Sequence, residues 1–332
     1  MHAWFRSTIL LLSAVGFSKA CAMTGSPISY SAHPELTGPV AWLTGPLLTS
    51  SGHVIPPGHL NFEPYIFVSK ISHKYDSEWQ RRHVSTFVSV LNQYQLKVGV
   101  VRRLDIGTNP GFAWNHRHGQ AKWVFTDLPL ILEYQLLGNR PKPWVPMIKL
   151  SLGEVFPTGK YQHLKAKKNG TDIGGQGSFQ TQIGIDFGKL IYFGHYHWLS
   201  WRLNLNYTYL SPVHVEGLNV YGGAKDTDGT VFPGNQFSQL IGLEYTLNQQ
   251  WVLALDIVNF YGNKTRFSGK KGTISGVPAK VTLPSMNQIS LAPALEYNWS
   301  ANIGIIAGAW FTVAGRNAPD FLQWVIAFNL YH

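Results

Sequence analysis

The sequence predicts an all-β protein, a transmembrane antiparallel up-and-down β-barrel of about twelve strands, preceded by a cleaved signal peptide and an irregular N-terminal segment. Three observations predict it. Segments of strand length alternate apolar and polar residues down the chain, short and long connections alternate between them, and the 332 residues are 13% charged against 14% aromatic, with 12 Trp, 15 Tyr and 18 Phe. That charged share is about half the soluble average of roughly 25%. Successive strand side chains point to opposite faces, and a strand of about 9 to 11 residues tilted at about 45° crosses a bilayer. A membrane helix needs about 18 apolar residues, whereas the nearest run, Ile303 to Val313, is shorter and holds Gly304 and Gly308. Strands that cross lipid must close into a barrel, because an open edge leaves backbone groups without partners.

At the start of the chain, Met1 to Thr8 carries Arg6, Ile9 to Phe17 is apolar, and Ala20-Cys21-Ala22 fits the small-residue cleavage rule. Residues 1–22 therefore read as a signal peptide, and export takes the chain to a disulfide-permissive compartment. Cys21 is the one cysteine, so the exported chain makes no disulfide. Lys19 argues against Cys21 as a lipid acceptor. Residues 23–59 hold Gly38-Pro39, Gly45-Pro46 and Pro56-Pro57-Gly58, which read as turns without a core of their own. This segment either plugs the lumen or hangs in the periplasm, and the barrel occupies residues 60–332.

Twelve segments follow. The first alternates Leu60, Phe62, Pro64, Ile66 and Val68 with Asn61, Glu63 and Ser69. The second is Val84 to Leu91, and the third sets Tyr94, Leu96, Val98 and Val100 against Gln95 and Lys97. In the fourth, Leu128 to Leu136 alternates around Glu133 and Gln135, with Asp127 at its start; in the fifth, Ile148, Leu150 and Leu152 flank Lys149. The sixth opposes Phe179, Ile183, Ile185 and Phe187 to Gln182 and Asp186. The seventh, Leu199 to Tyr209, alternates without error, with Arg202, Asn204 and Asn206 on its polar face. The eighth runs from Phe237 to Leu247 around Glu244, the ninth from Trp251 to Ile257 around Asp256, and the tenth from Gln288 to Trp299 around Glu296. Ile303 to Val313 is the eleventh and Leu322 to Leu330 the twelfth. Weak singly, the segments are strong together.

Outer-membrane barrels have short periplasmic turns and longer extracellular loops. The links after strands two, four, six, eight and ten are short or moderate, Asn92-Gln93 being the tightest, while those after strands one, three, five, seven and nine run to about 14 to 28 residues. An even strand number puts both termini on the periplasmic side.

Leu43-Thr44-Gly45-Pro46-Leu47-Leu48-Thr49, Ile55-Pro56-Pro57-Gly58-His59-Leu60-Asn61-Phe62-Glu63, Val155-Phe156-Pro157-Thr158-Gly159 and Val313-Ala314-Gly315-Arg316-Asn317 resemble the outer-membrane proteins named after the meta-pathway of phenol degradation (MetA). The resemblance covers most of the mature chain on short motifs. It implies a single barrel and a channel or transporter role for small, often aromatic or hydrophobic, compounds, and it carries no catalytic motif. The chain ends Phe328-Asn329-Leu330-Tyr331-His332, whereas many such barrels end on an aromatic residue.

If the apolar set faces lipid, the lumen collects Glu63, Lys97, Asp127, Glu133, Lys149, Asp186, Arg202, Asn204, Asn206, Glu244, Asp256 and Glu296. The opposite register would put these charges in hydrocarbon, at about 2 to 4 kcal/mol for each Arg or Lys. They read either as ion pairs filling a closed interior or as the lining of a solute path. Of the 27 Lys and Arg, 25 remain after Arg6 and Lys19 leave with the signal, against 17 acids, a balance of +8. Much of the excess lies in expected outer loops: Lys70, Lys74, Arg81 and Arg82; Lys160, Lys165, Lys167 and Lys168; Lys264, Arg266, Lys270, Lys271 and Lys280. The expected partners are outer-membrane lipid and lipopolysaccharide, the barrel-assembly machinery and a small solute; nucleic acid is excluded by the export signal and barrel pattern. Trp198, Trp201, Tyr207, Tyr209, Trp251, Tyr297, Trp299 and Trp310 read as interfacial girdles.

His116-Arg117-His118 and His195-Tyr196-His197 each put two rings on one strand face, but without Cys or a carboxylate motif they do not define a metal site. No cofactor is expected. A lipid-modifying enzyme needs a hydroxyl beside an oriented base. Ser211 near His214 is the nearest such pairing, and the sequence has no G-x-S-x-G or H-E-x-x-H, so no enzymatic activity is expected.

Overall fold

The computed structural model describes residues 41–332 apart from 141 and 143; the signal peptide and the first part of the 23–59 segment lie outside these residues. Nineteen strands make a closed barrel of twelve staves and two small loop sheets. Strands β1 (Leu60–Tyr75) and β2 (Arg81–Val101) form the first two staves. The third is β3 (Leu104–Thr108) continued by β4 (Gly111–Arg117), and the fourth is β5 (Gln120–Phe125) continued by β6 (Leu128–Leu137). Next come β7 (Met147–Phe156), β8 (Gln180–Tyr192) and β9 (Trp198–Leu210). The short strands β10 (Val213–Glu216) and β11 (Asp228–Phe232) precede the staves β12 (Gln236–Thr246) and β13 (Trp251–Gly262). Loop strands β14 (Arg266–Lys270), β15 (Thr273–Ile274) and β16 (Val277–Pro278) lead to the last three staves, β17 (Met286–Asn298), β18 (Ile303–Arg316) and β19 (Pro319–Tyr331). The pairing of β1 with both β2 and β19 closes the ring. His332 N–H donates to Leu60 O and Leu60 N–H to His332 O, each at 2.9 Å, so the terminal residue extends the seam although it is not aromatic.

The alternation puts aliphatic and aromatic side chains outside. Ile66, Leu130, Leu132, Leu152, Leu253, Leu295, Trp324 and Ile326 are all exposed on the outer face. Aromatic contacts mark the end opposite the long loops: Trp251 lies edge-on to Tyr297, Tyr297 to Trp299, and Trp299 tilts against Phe328. Two tryptophans expected in these girdles turn inward instead. Trp198 is buried, and Trp310 is buried with its Nε1–H donating to Ser290 Oγ at 2.8 Å.

The strand count is as expected, but two of the segments are not. β2 is one strand through Asn92-Gln93, not two strands with a turn there. Residues 104–117 form a stave, not part of a long loop. The first difference has a cause in β2 itself. Along β2 the inward side chains are Phe87 and Leu91 on the loop side, then Gln93, Gln95 and Lys97. The inner face thus changes from apolar to polar halfway along the strand, and that phase change imitates a turn. Among the described residues long loops occur only at 157–179, 211–235 and 263–285, while the links at 76–80 and 118–119 are tight. Lys70 and Lys74 lie on β1, and Arg81 and Arg82 on β2.

The three long loops fold over one mouth of the barrel. β10, β11 and β14 form an antiparallel sheet, and Leu164, Ile173, Val213, Val215, Val220, Tyr221, Val231 and Val281 join the wall residues Phe67, Phe87, Leu91, Leu240, Val258, Trp310 and Phe321 in one buried apolar cluster. Fully burying such a side chain stabilises by about 1.5–3 kcal/mol, so the loops are an integral cap.

Candidate functional site

The other half of the lumen is polar and holds residues 41–55, nearly all of them buried. This stretch pairs with no barrel strand, so its backbone groups need partners from the wall. Six of its N–H groups find side chains. Thr44 N–H donates to Glu296 Oε2 at 2.9 Å, Leu48 and Thr49 N–H to the two oxygens of Asp256 at 3.2 and 3.0 Å, and Ser50 N–H to Asn204 Oδ1 at 2.6 Å. Val54 N–H donates to Gln135 Oε1 at 3.0 Å and Ile55 N–H to Asp105 Oδ2 at 2.7 Å. Thr49 Oγ1–H also donates to Asp256. Carbonyls are met in turn: Asn298 Nδ2 donates to Trp42 O, Arg202 Nη1 to Thr49 O, Asn204 Nδ2 to Ser50 O and Gln135 Nε2 to Gly52 O.

The wall makes room where the segment presses on it. A Cβ at Gly242 of β12 would stand 2.8 Å from Thr49 Cβ, and one at Gly99 of β2 only 1.9 Å from Pro56 O. Gly99 also pins the segment's exit, accepting from Gly58 N–H and donating to His59 O.

Charge is arranged around the segment. Lys97 and Lys149 bridge Glu133 at 2.8 and 2.6 Å; Lys149 also reaches Asp186 at 3.4 Å and Ser50 Oγ at 2.7 Å. Arg202 pairs with Glu244 at 2.8 Å. The carboxylates without a cation are the ones that receive neutral donors: Asp105, Asp256 and Glu296 accept N–H groups from the segment, and Glu63 accepts from the Asn61 Nδ2–H and the Tyr65 O–H. The segment is therefore the electrostatic counterpart of three buried acids, because a buried carboxylate must be paired or hydrogen-bonded.

Of the expected lumen residues, Glu63, Lys97, Glu133, Lys149, Asp186, Arg202, Asn204, Glu244, Asp256 and Glu296 are buried. All but Glu63 contact the segment or an ion-pair partner there. Asn206 sits higher and accepts from Gln182 Nε2 at 3.2 Å. Asp127 has a different place, between β5 and β6, where it accepts from Gly159 and Gln176 N–H and ties down the 157–179 loop. Asp105, Gln135 and Asn298 were missed. Asp105 lies on the unrecognised stave, and a neutral amide gives no sequence signal beyond polarity.

The basic residues lie around the capped mouth. Lys160 pairs with Asp172 at 3.5 Å, Lys168 Nζ donates to Gln120 Oε1, Lys270 pairs with Asp226 at 3.2 Å, and Arg266 lies over the Phe232 ring. Lys165, Lys167, Lys264 and Lys271 are exposed. Ser211 and His214 are committed separately: Ser211 Oγ accepts from Phe179 N–H, and His214 faces Glu216 and Asp228. Among the described residues no three His, Cys, Asp or Glu converge as metal ligands.

No family model matches the sequence, and no curated protein matches it. Among solved structures, an outer-membrane channel of Pseudomonas putida F1 aligns with a TM-score of 0.64 at 11% identity, over 84% of this chain and 97% of that one. The fold is that of an outer-membrane β-barrel. The translocator domain of the autotransporter NalP from Neisseria meningitidis aligns at TM-score 0.45 and 11% identity, over 82% of this chain and 88% of that one. A deletion variant of the monoaromatic hydrocarbon channel TodX aligns at 0.40 and 12%, over 83% and 91%.

Proposed function

We propose that this chain is an outer-membrane channel for small apolar or aromatic solutes, closed at rest by its own N-terminal segment. The mouth capped by the three long loops then faces outward and the opposite end faces the periplasm, as in barrels of this kind. The observation that carries the reading is the way residues 41–55 are held. Leu47 and Leu48 pack into the apolar cluster and Ala41 and Leu43 against Trp198 and Val252, but the backbone is joined to the wall by single hydrogen bonds to side chains, each worth about 0.5–1.5 kcal/mol net, and not by a strand ladder, so water can replace these polar contacts one at a time. The apolar half of the lumen supports the solute class, as does the resemblance to the phenol meta-pathway outer-membrane proteins. The neighbour from Pseudomonas putida F1 is named a channel.

The test uses planar bilayers and proteoliposomes. A chain lacking residues 23–55 behind its export signal opens more often than the full chain, the apolar loop-end closure remaining in both. Through the shortened barrel phenylalanine moves faster than serine, two amino acids that cross lipid slowly. A folded, shortened barrel without conductance or flux would sink the channel reading and leave a closed structural barrel. If the shortened chain fails to fold, a Thr49→Cys, Gly242→Cys pair in the full chain serves instead. Its oxidised form then shows no openings and its reduced form regains them, and openings unaffected by oxidation count against the plug.

A further inference from the structure

A cavity of about 240 Å³ lies at the capped end, away from the lumen network, between the end of β1, the 76–80 turn, the end of the 263–285 loop and the turn that joins β18 to β19. Lys74, Asp76, Ser77 and Lys280 line it, with Asn317 and Pro319 on the facing turn. The walls are tied together: Tyr75 N–H donates to Ala318 O, Asn317 N–H to Asp76 O, and Asn317 Nδ2 to Ser285 O. The cavity is thus a built concavity formed by three segments.

Its lining carries two cations against one acid. Among the described residues neither Lys74 nor Lys280 has a hydrogen-bond or ion-pair partner for its ammonium group; both line the same cavity, and Asp76 attracts Lys74 at longer range. Asp76, the lining carboxylate, is already engaged. One of its oxygens accepts from Glu78 and Gln80 N–H, and the other pairs with Arg82 at 2.9 Å. The Ser77 hydroxyl adds a donor on the same rim. Two unpaired cations and a hydroxyl in one concavity suit a phosphate, which offers several strong acceptors to charge-assisted bonds.

The register shift between Ile71 and His73 turns Lys74 toward the barrel mouth, where it pairs with Pro319 on the buried face that Phe321 continues. Lys280, exposed on the 263–285 loop, reaches the same cavity. We infer that the Lys74–Lys280 cavity binds a phosphate group, carried either by a glycolipid headgroup or by a free solute. The inference does not depend on whether the barrel conducts.

The test uses the full chain in detergent, with Lys74→Gln, Lys280→Gln and the double variant, folding being checked by heat-modified gel mobility. Binding of lipopolysaccharide, of its dephosphorylated form and of inorganic phosphate is followed by native mass spectrometry and calorimetry. The expected result is binding of the phosphorylated lipid that falls about tenfold or more with each lysine removed and is absent for the dephosphorylated lipid. Inorganic phosphate that binds with equal strength and the same lysine dependence would support the site but assign it to free phosphate-bearing solutes. Equal binding by the double variant, or no binding of either phosphate source, overturns it. If a Gln variant misfolds, Ser77→Ala in the intact lysine background is expected to weaken binding, and no change would count against the site.

Discussion

The two halves of the lumen are closed by different forces. At the loop end, Val215, Tyr221 and Val231 from the loops pack on Phe67, Phe87 and Trp310 from the wall, and the closure is hydrophobic, non-directional and cumulative. At the opposite end, Asp105, Asp256, Glu296 and Asn204 hold a backbone by hydrogen bonds. Those bonds cost little to exchange for water once water arrives. The apolar closure resists opening over its whole area together, whereas the polar one can release contact by contact, so the N-terminal segment is the natural moving part.

The strongest way to break this comparison is to remove the segment and ask what the wall becomes. Without residues 23–55, Asp105, Asp256 and Glu296 lose their N–H partners while Lys97, Lys149 and Arg202 remain paired with Glu133, Asp186 and Glu244. The emptied lumen is then net negative and is expected to pass potassium several-fold better than chloride, since charged, low-dielectric clefts focus counter-ions. Reversal potentials in a salt gradient measure this. Anion preference in the shortened barrel would show that the segment is not the counterpart of these acids.

Lys149→Met tests the same half from the wall side. It leaves Glu133 with one cation and Asp186 with none. Removing one partner of a buried pair costs about 3–5 kcal/mol, so denaturant unfolding of the lipid-embedded barrel should shift by that order. A shift under 1 kcal/mol would mean that water already reaches the site. Thr49→Val is gentler. It deletes the hydroxyl that bonds Asp256 and leaves the Thr49 N–H bond in place, a loss of about 1 kcal/mol. The fraction of time open in single-channel records is expected to rise about threefold to tenfold, with the open conductance unchanged.

Much of this was legible in the sequence, and what was not has a common reason. The error-free alternation of Leu199 to Tyr209 became β9 (Trp198–Leu210), with Arg202 and Asn204 inside. Charges at period two on a membrane strand have one affordable direction. The inward apolar side chains broke that logic: Phe87, Leu91 and Trp310 in the apolar half and Trp198 beside the N-terminal segment face inward, and a rule that sends apolar residues to lipid misplaces them. The stave at 104–117 was hidden by Asn109-Pro110 and by the polar residues Asp105, Asn115 and Arg117, all buried inside. The grip on the N-terminal segment was the least visible. It uses backbone N–H groups, which every residue except proline carries and no residue type announces.

Asp76 offers the smallest and sharpest contrast, because like Asp256 it accepts two backbone N–H groups, but in water and with the Arg82 guanidinium in place of the Thr49 hydroxyl. Its carboxylate collects Glu78 and Gln80 N–H and the Arg82 guanidinium at the exposed tip between β1 and β2. Chiefly the Gln80 backbone N–H, then the Arg82 side-chain bond, hold it below its ordinary value of 3.8. An acid whose folded value is depressed contributes stability above its unfolded value, and that contribution is lost as the pH falls through the folded value. The loss therefore belongs below about pH 4 and should be local. In Asp76→Asn the tip frays, seen as faster amide exchange at Glu78 and Gln80, while the unfolding midpoint of the barrel stays fixed. In Asp256→Asn the tip is untouched and the open fraction rises. If both variants moved the same observable by the same amount, burial would not be what gives the lumen carboxylates their hold on the N-terminal segment.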